Sequence, residues 1–247
     1  MNLLVVGAGE MGRWFARNSG ADAVAFADRE RDVAHEAAAS IADARVVDLD
    51  TDDRFDVVCI AIPMLAVPDG IATHSDKAIG AMVDVSGEMR DSVAALRTHA
   101  PELERASFHP LFSAINAPGN VPVVVDQDGP LVDRLSESIA SAGNDVFHTT
   151  VEEHDRAMET VQAKAHAAVL AYAVAADPID ARFHTTVSEL LSEIVRDVTA
   201  NNPSVYAEIQ SRYDGATAIA RVAGELADAD RDSFEQLYKS AVDPTDR

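Results

Sequence analysis

The chain of 247 residues has a single cysteine, one tryptophan, an aromatic content of 5% and only three lysines, Lys77, Lys164 and Lys239. Each scarcity excludes something. One cysteine forms no intrachain disulfide, and Cys59 stands inside an apolar, strand-like run, which makes it a buried structural thiol rather than a nucleophile. With 20 basic residues against 42 acidic ones, a formal net charge of −22, the chain lacks the basic face that nucleic acid or an anionic membrane requires. No apolar stretch approaches the roughly 20 residues of a membrane span. The N-terminal apolar run is too short, and too soon consumed by a glycine turn, to serve as a signal peptide. A cytoplasmic protein is therefore expected. With 47% hydrophobic residues and so few aromatics, its core is expected to consist mainly of Val, Ala, Ile and Leu.

The acidic residues are spread over the whole chain, through clear strand and helix patterning, so they form a surface and not a disordered tail. Such a surface suits a salt-loving cytoplasm. At molar salt the Debye length shrinks to about 3 Å, and the charge then neither unfolds the chain nor repels anionic ligands from a distance.

The most informative segment is the first. Asn2-Leu-Leu-Val-Val-Gly7-Ala-Gly9-Glu-Met-Gly12 is an apolar run breaking into Gly-x-Gly-x-x-Gly, and the next apolar run, Ala23–Ala27, ends on Asp28. This is the start of a dinucleotide-binding βαβ unit: Gly7 permits the tight turn, Gly9 lets the backbone approach a pyrophosphate, and Gly12 lets the next helix pack close. Phosphates would rest on that helix's N-terminus, where unpaired N–H groups and the dipole favour anions. Asp28 can accept from both ribose hydroxyls and would repel a 2′-phosphate, which favours NAD. Arg29 beside it is the residue type that would welcome that phosphate, so NADP stays open.

Strand-like runs recur at Leu3–Val6, Ala23–Ala27, Val46–Val47, Asp56–Ile62, Ala81–Val85, Ala106–Phe108, Val121–Val125 and Asp145–Thr149. Helical patterns lie between them, for instance at Asp32–Ile41, Met89–Leu96 and Leu131–Ala142. This alternation predicts an α/β, doubly wound parallel sheet. After Thr150 the strand signal stops, and helices are expected at Val151–Val174, Phe183–Ala200, Pro203–Ala227 and Arg231–Ala241. A boundary near 150 follows, with a dinucleotide-binding domain over 1–150 and an all-helical domain over 151–247. So small and alanine-rich a helical domain makes a thin core alone, which predicts burial against a second copy in a homodimer.

Three further patterns bear on chemistry. His109-Pro110-Leu-Phe112 delivers a histidine from a strand end into a proline-fixed turn, where it is either a general base or a solvent-exposed loop histidine. Glu153-His154-Asp155 precedes Gln162 and His166. The two histidines are twelve apart, a little over three helical turns, and cannot share one metal, so no metal site is expected. The acids at 153 and 155 read as helix-entry capping. Asn202-Pro203-Ser-Val-Tyr206 is a proline-started helix carrying a tyrosine.

Taken in order, Gly7-Ala-Gly9-Glu10-Met11-Gly12, Asp84-Val-Ser86, His109-Pro-Leu-Phe112, His154-Asp155…Gln162-x-x-x-His166 and Asn202-Pro-x-x-Tyr206-Ala resemble the prephenate dehydrogenase family across nearly the whole chain. With the acidic surface, this points to a halophilic archaeal member. The resemblance implies a Rossmann domain followed by a helical dimerisation domain. It also implies NAD(P)-dependent oxidative decarboxylation of prephenate to 4-hydroxyphenylpyruvate, a step of tyrosine biosynthesis. By the same resemblance His109 is the catalytic histidine, accepting the proton of the C4 hydroxyl while the C4 hydride passes to nicotinamide. His166 would line the substrate pocket, with a satisfied helix-core histidine as the alternative. Gly7, Gly9, Glu10, Met11, Gly12, Asp28, Arg29 and Pro63 would bind the cofactor.

The chain departs from the family's pattern in places. Where the family has Asp-x-x-Ser-Val-Lys, this chain has Asp84-Val-Ser86-Gly87-Glu88-Met89, so the serine that orients the histidine is either Ser86, shifted by one, or missing. Ser113 follows Phe112 where the family has glycine. Arg196 precedes Pro203 by seven positions, one more than the family's carboxylate-binding arginine; it is nonetheless the expected anchor, because a guanidinium grips a carboxylate bidentately. Arogenate, the amino analogue, is not separated from prephenate. A β-hydroxyacid dehydrogenase or pyrroline-carboxylate reductase shares the opening and the helical tail but does not predict His109-Pro-x-Phe. A non-enzymatic nucleotide-sensing dimer is the reading from a different class.

Overall fold

The computed structural model describes residues 1–241, which divide into two compact units, Met1–Arg156 and the residues from Ala157 onward. The division falls inside a helix, a few residues beyond position 150.

The first unit is built on β1 (Asn2–Val6), β2 (Ala23–Ala27), β3 (Arg45–Val46), β4 (Phe55–Ile60), β5 (Ala78–Val85), β6 (Glu104–Phe108), β7 (Asn120–Gln127) and β8 (Asp145–His148). They form one sheet in the order β3-β2-β1-β4-β5-β6-β7-β8. From β1 the chain runs outward to β2 and β3, then returns to place β4 on the other side of β1. The reversal makes the carboxyl ends of β1 and β4 the topological switch point, where open α/β sheets bind ligands. Helices α1 (Glu10–Asn18), α2 (Arg31–Ala39), α3 (Val67–His74), α4 (Arg90–His99) and α5 (Pro130–Ser141) connect the strands.

The strands read as continuous apolar runs because both faces are covered. On β1, Leu3 and Val5 join Phe15, Phe26, Cys59 and Phe108 in one buried layer. Leu4 and Val6 point the other way, into a layer with Ile60, Ile71 and Leu96. Cys59 is fully buried, and burial pushes its thiol pKa well up, so it is an inert core residue.

One expectation needs correction. The sheet is not parallel throughout: β6 and β7 pair antiparallel, whereas β7 and β8 pair parallel. A parallel return needs a crossover of a dozen or more residues, usually a helix. Between Phe108 and Asn120 there is only a single 3-10 turn, Ala114–Asn116, so the chain doubles back.

Helix α6 (Val151–Met158) leads into a π-helical turn, Glu159–Lys164, and then α7 (Ala165–Ala175). The expected single helix over 151–174 is therefore interrupted, and the Ala163 carbonyl in the wide turn accepts a hydrogen bond from Gln210 Nε2 at 2.8 Å. The second unit continues with α8 (Thr186–Thr199), α9 (Pro203–Arg212), α10 (Gly215–Asp228) and α11 (Arg231–Ser240). Thr185 starts α8 with a reciprocal Thr185–Ser188 capping box. The expected helix over 203–227 is broken at Tyr213-Asp214. Gly215, the first residue of α10, lies so close to the π turn that a Cβ there would sit 2.4 Å from the Ala163 carbonyl carbon. Apolar burial is sparse here: Val187, Leu190 and Ile194, a stripe along α8, are 68%, 55% and 45% exposed. No helix among the described residues is long and apolar enough to cross a membrane.

Candidate active site

The β1–α1 turn has the geometry its glycines demand. Gly7 adopts φ +98°, and a Cβ on it would fall 2.2 Å from the Ala61 carbonyl oxygen. Its N–H reaches Ala27 O at 2.8 Å, tying the end of β1 to that of β2. A Cβ on Gly12 would meet Gly7 O at 2.0 Å, which is how closely α1 approaches the turn. Gly9 differs: an added Cβ meets nothing within 4 Å. The first turn of α1 has no side-chain cap, so its amides face the open side of Gly9. Open space before Gly9 and uncapped amides behind it fit a pyrophosphate.

Asp28, at the end of β2, is held by this turn. Its Oδ2 accepts from Ala8 N at 2.8 Å and its Oδ1 from Glu30 N at 2.9 Å. Each carboxylate oxygen keeps further acceptor capacity. Arg29 is extended into solvent, 85% exposed, and 4.0 Å from Glu30. Glu10 and Pro63 are exposed and Met11 is half-buried along the same rim.

His109 follows β6 and is buried. Its backbone N–H bonds Pro122 O at 3.0 Å, and Leu111 N bonds Asn120 O at 2.9 Å, so the pairing with β7 runs on past the strand. The Nδ1 atom of His109 lies 2.8 Å from His154 Nε2, and His154 Nδ1 lies 2.9 Å from Asp155 Oδ1. Asp155 Oδ1 also accepts Met89 N–H at 3.3 Å, and Arg90 Nε stands 3.7 Å from Oδ2. The reading of Asp155 as a capping acid is thus corrected. Thr150 caps α6, its Oγ1 accepting Glu153 N–H at 3.1 Å, while His154 and Asp155 turn inward to His109.

Burial first, then the neighbouring His154, lower the His109 pKa to about 3 against the opposing pull of Asp155. Burial alone would raise the carboxyl of Asp155. The hydrogen bonds from His154 and Met89 and the nearby Arg90 charge outweigh it, and Asp155 lies below its ordinary value.

Ser86 is buried, and its Oγ accepts Glu88 N–H at 3.3 Å, capping the turn into α4. Position 87 is glycine, and a Cβ there would stand 3.5 Å from His109 Nε2. Asp84, fully buried beneath this turn, accepts from Ser107 Oγ at 3.0 Å. Burial drives its pKa well up, against the hydrogen bonds from Ser107 and Ser92.

The other expected residues belong to the second unit. His166 packs edge-on against Tyr206, with ring centroids 4.7 Å apart. Its buried Nδ1 has no partner among the described residues, and burial lowers its pKa. Arg196 is 71% exposed on α8, 4.0 Å from Glu193. Asn202 caps α9, its Oδ1 accepting Ser204 N–H at 3.0 Å.

No protein-family model matches the chain. Over 204 residues it is 27% identical to a 4-amino-4-deoxyprephenate dehydrogenase of Streptomyces pristinaespiralis, covering 72% of this chain and 68% of that one. A crystal structure of prephenate dehydrogenase from A. aeolicus, in complex with hydroxyphenyl propionate and NAD+, superimposes with a TM-score of 0.74 at 16% identity, covering 100% of this chain and 98% of the other. A pyrroline-5-carboxylate reductase from Coxiella burnetii, at 13% identity over 99% of this chain and 86% of its own, reaches 0.54. The chain has the fold of the prephenate dehydrogenases: a Rossmann-type sheet followed by a helical unit.

Proposed function

We propose that this chain is an NAD-dependent oxidoreductase of the prephenate dehydrogenase type, which oxidises and decarboxylates prephenate to 4-hydroxyphenylpyruvate. The observation that carries this reading is His109. It is a neutral imidazole, clamped at the carboxyl end of β6, in the same sheet whose switch point presents the open face of Gly9.

Gly7, Gly9 and Gly12 would cradle the pyrophosphate on the first amides of α1, and Asp28 would take the ribose hydroxyls, with Glu10, Met11, Arg29 and Pro63 around them. When bound, nicotinamide supplies the hydride acceptor. His109 accepts the proton of the substrate's C4 hydroxyl through Nε2, and loss of CO₂ from the ring then yields the aromatic product. A neutral imidazole can also accept a proton from the ammonium form of an amine at C4. The similarity to a 4-amino-4-deoxyprephenate dehydrogenase therefore makes that analogue the second substrate to test, and arogenate the third. Ser86, His166 and Arg196 complete the expected substrate contacts, Arg196 as the carboxylate anchor.

The exposed stripe on α8 supports a homodimer with a shared helical core. The dispersed acidic charge supports a halophilic, cytoplasmic setting. The test is NAD and NADP reduction with prephenate, arogenate and the 4-amino analogue in molar salt. Turnover with NAD and one of them is the expected result. Tight NAD binding without turnover of any would overturn the reading in favour of a nucleotide sensor.

A further inference from the structure

We propose that Asp155 and His154 form a proton relay behind His109: they fix it as the Nδ1–H tautomer, with Nε2 as acceptor, and His154 takes the charge when His109 receives a proton. The tautomer part stands on this structure alone; the proton step rests on the dehydrogenase reading above.

The tautomers follow from donor and acceptor bookkeeping along the chain of contacts. Asp155, kept ionised by His154, the Met89 N–H and Arg90, is acceptor only. The hydrogen between it and His154 Nδ1 therefore belongs to the histidine. In the proposed resting state His154 carries one hydrogen, on Nδ1, so its Nε2 accepts and the hydrogen across the 2.8 Å contact belongs to His109 Nδ1. His109 is left with its lone pair on Nε2, the nitrogen that faces Gly87. Where the resembled family has a serine to orient this ring, position 87 has no side chain, and the Ser86 hydroxyl is engaged with Glu88 N–H. Here orientation comes from the opposite side of the ring.

The relay also answers an energetic problem. His109 by itself holds a proton poorly, because an imidazolium there would be buried beside a second imidazole. In the proposed step the substrate O–H breaks and its proton bonds to His109 Nε2. The Nδ1 proton of His109 passes to His154 Nε2, leaving His109 neutral. His154 then carries protons on both nitrogens, and its charge lies against the Asp155 carboxylate. The charged and titratable groups facing this pair are His109 at the end of β6, Asp155 on the same helix and Arg90 at the start of α4. Glu88, on the turn that donates the Met89 N–H, directs its carboxylate to Asp91 N at 3.1 and 3.2 Å, and Asp84 is bonded to Ser107.

The test is ¹⁵N-imidazole NMR of the full chain in high salt, with His109 and His154 signals assigned by difference from His109→Asn and His154→Gln. Wild type should show His109 protonated at Nδ1 and bare at Nε2 from pH 6 to 8. A proton on Nε2 instead overturns the proposal without any variant. Asp155→Leu removes the oxygen that accepts from both His154 Nδ1 and the Met89 N–H, so nothing holds the His154 hydrogen on Nδ1 and the His109 Nδ1–H tautomer should no longer dominate. With that loss kcat should fall about 10²–10⁴-fold, its pH profile should shift, and KM should change little. Asp155→Asn, whose carbonyl oxygen can still accept from both, should keep the tautomer but lose the carboxylate charge and part of kcat. An Asp155→Leu protein that folds and keeps the wild-type tautomer and pH profile shows the His–Asp pair to be merely structural and overturns the relay. Absence of turnover by wild type, with the tautomers as stated, defeats the dehydrogenase reading instead and is distinguishable from either result.

Discussion

His109 and His154 are 45 positions apart in the chain, yet their ring nitrogens lie 2.8 Å from each other, with the rings crossed at 66°. One stands at the end of a central strand and the other in the first turn of the helix that leaves the sheet. The contact joins two unremarkable local patterns into one hydrogen-bonded unit.

Replacing His109 by asparagine removes the proposed proton acceptor and leaves the glycine turn untouched. A well-placed general base contributes roughly 10²–10⁴-fold, so kcat should fall by about that much while NAD affinity stays near wild type. Steady-state kinetics with a parallel cofactor titration measures both. Activity within a few-fold of wild type would move the base elsewhere, with His166 next to examine.

The three glycines of the turn should separate stability from binding. Gly12→Ala drives a methyl into Gly7 O and should cost at least the ~1–3 kcal/mol typical of overpacking, seen as a lower Tm. Gly9→Ala meets no protein atom within 4 Å and should melt like wild type, yet lose cofactor affinity because the methyl occupies the pyrophosphate's space. Equal melting losses in the two variants would contradict this assignment.

Asp28 should set the cofactor preference. Its carboxylate would lie unpaired against a 2′-phosphate, so Asp28→Ala should narrow the NAD/NADP ratio of kcat/KM. The substitution also removes the Ala8 N–H bond, so KM for NAD should rise as well. A wild-type preference for NADP would make Arg29 the reader.

Acid should destabilise the fold through its buried histidines. An unfolded histidine near 6.5 binds a proton that folded His109, held at about 3, refuses. The unfolded state therefore carries the extra proton between those values. The stability contribution is complete above pH 6.5 and is lost as pH falls toward 3, at about 1.4 kcal/mol per pH unit for one group. His74 and His166, both shifted downward by burial, act in the same direction. Thermal melts between pH 7 and 4 should show a shallower slope for His109→Asn than for wild type; identical slopes would mean that His109 is not held neutral.

Two chains of charge −22 repel strongly at low ionic strength and much less when the Debye length shrinks to a few ångströms. If the α8 stripe is covered by a second copy, dimer and activity should disappear together as salt is lowered. Light scattering and activity measured across one salt titration test this. A stable, active monomer in dilute buffer would rule it out.

The sheet was legible because its strands are apolar on both faces and alternate with helical spacing, and the turn after β1 because three glycines have separate steric reasons to be there. The reversal at β7 was legible in principle, since no helical pattern lies between Phe108 and Asn120 to carry a crossover. The partner of His109 was not found. Glu153-His154-Asp155 at a helix start has an ordinary meaning as capping, and a contact across 45 residues leaves no local trace. The usable signal was phase: His154 shares the apolar stripe of Val151 and Met158, so its ring had to face inward. The π turn escaped for a different reason. The helix after it is apolar nearly all round, and a shift of one residue in its phase leaves the pattern unchanged.

The ladder that continues past β6 has a consequence for timescale. Because the amides of His109 and Leu111 are bonded to Pro122 and Asn120, the backbone under the imidazole opens only when the β6–β7 pairing opens. Those amides should exchange with solvent hydrogen at the slow rate of the central sheet, not at the rate of the loop that follows. The ring is thus carried by backbone that moves with the sheet and not with the loop after it.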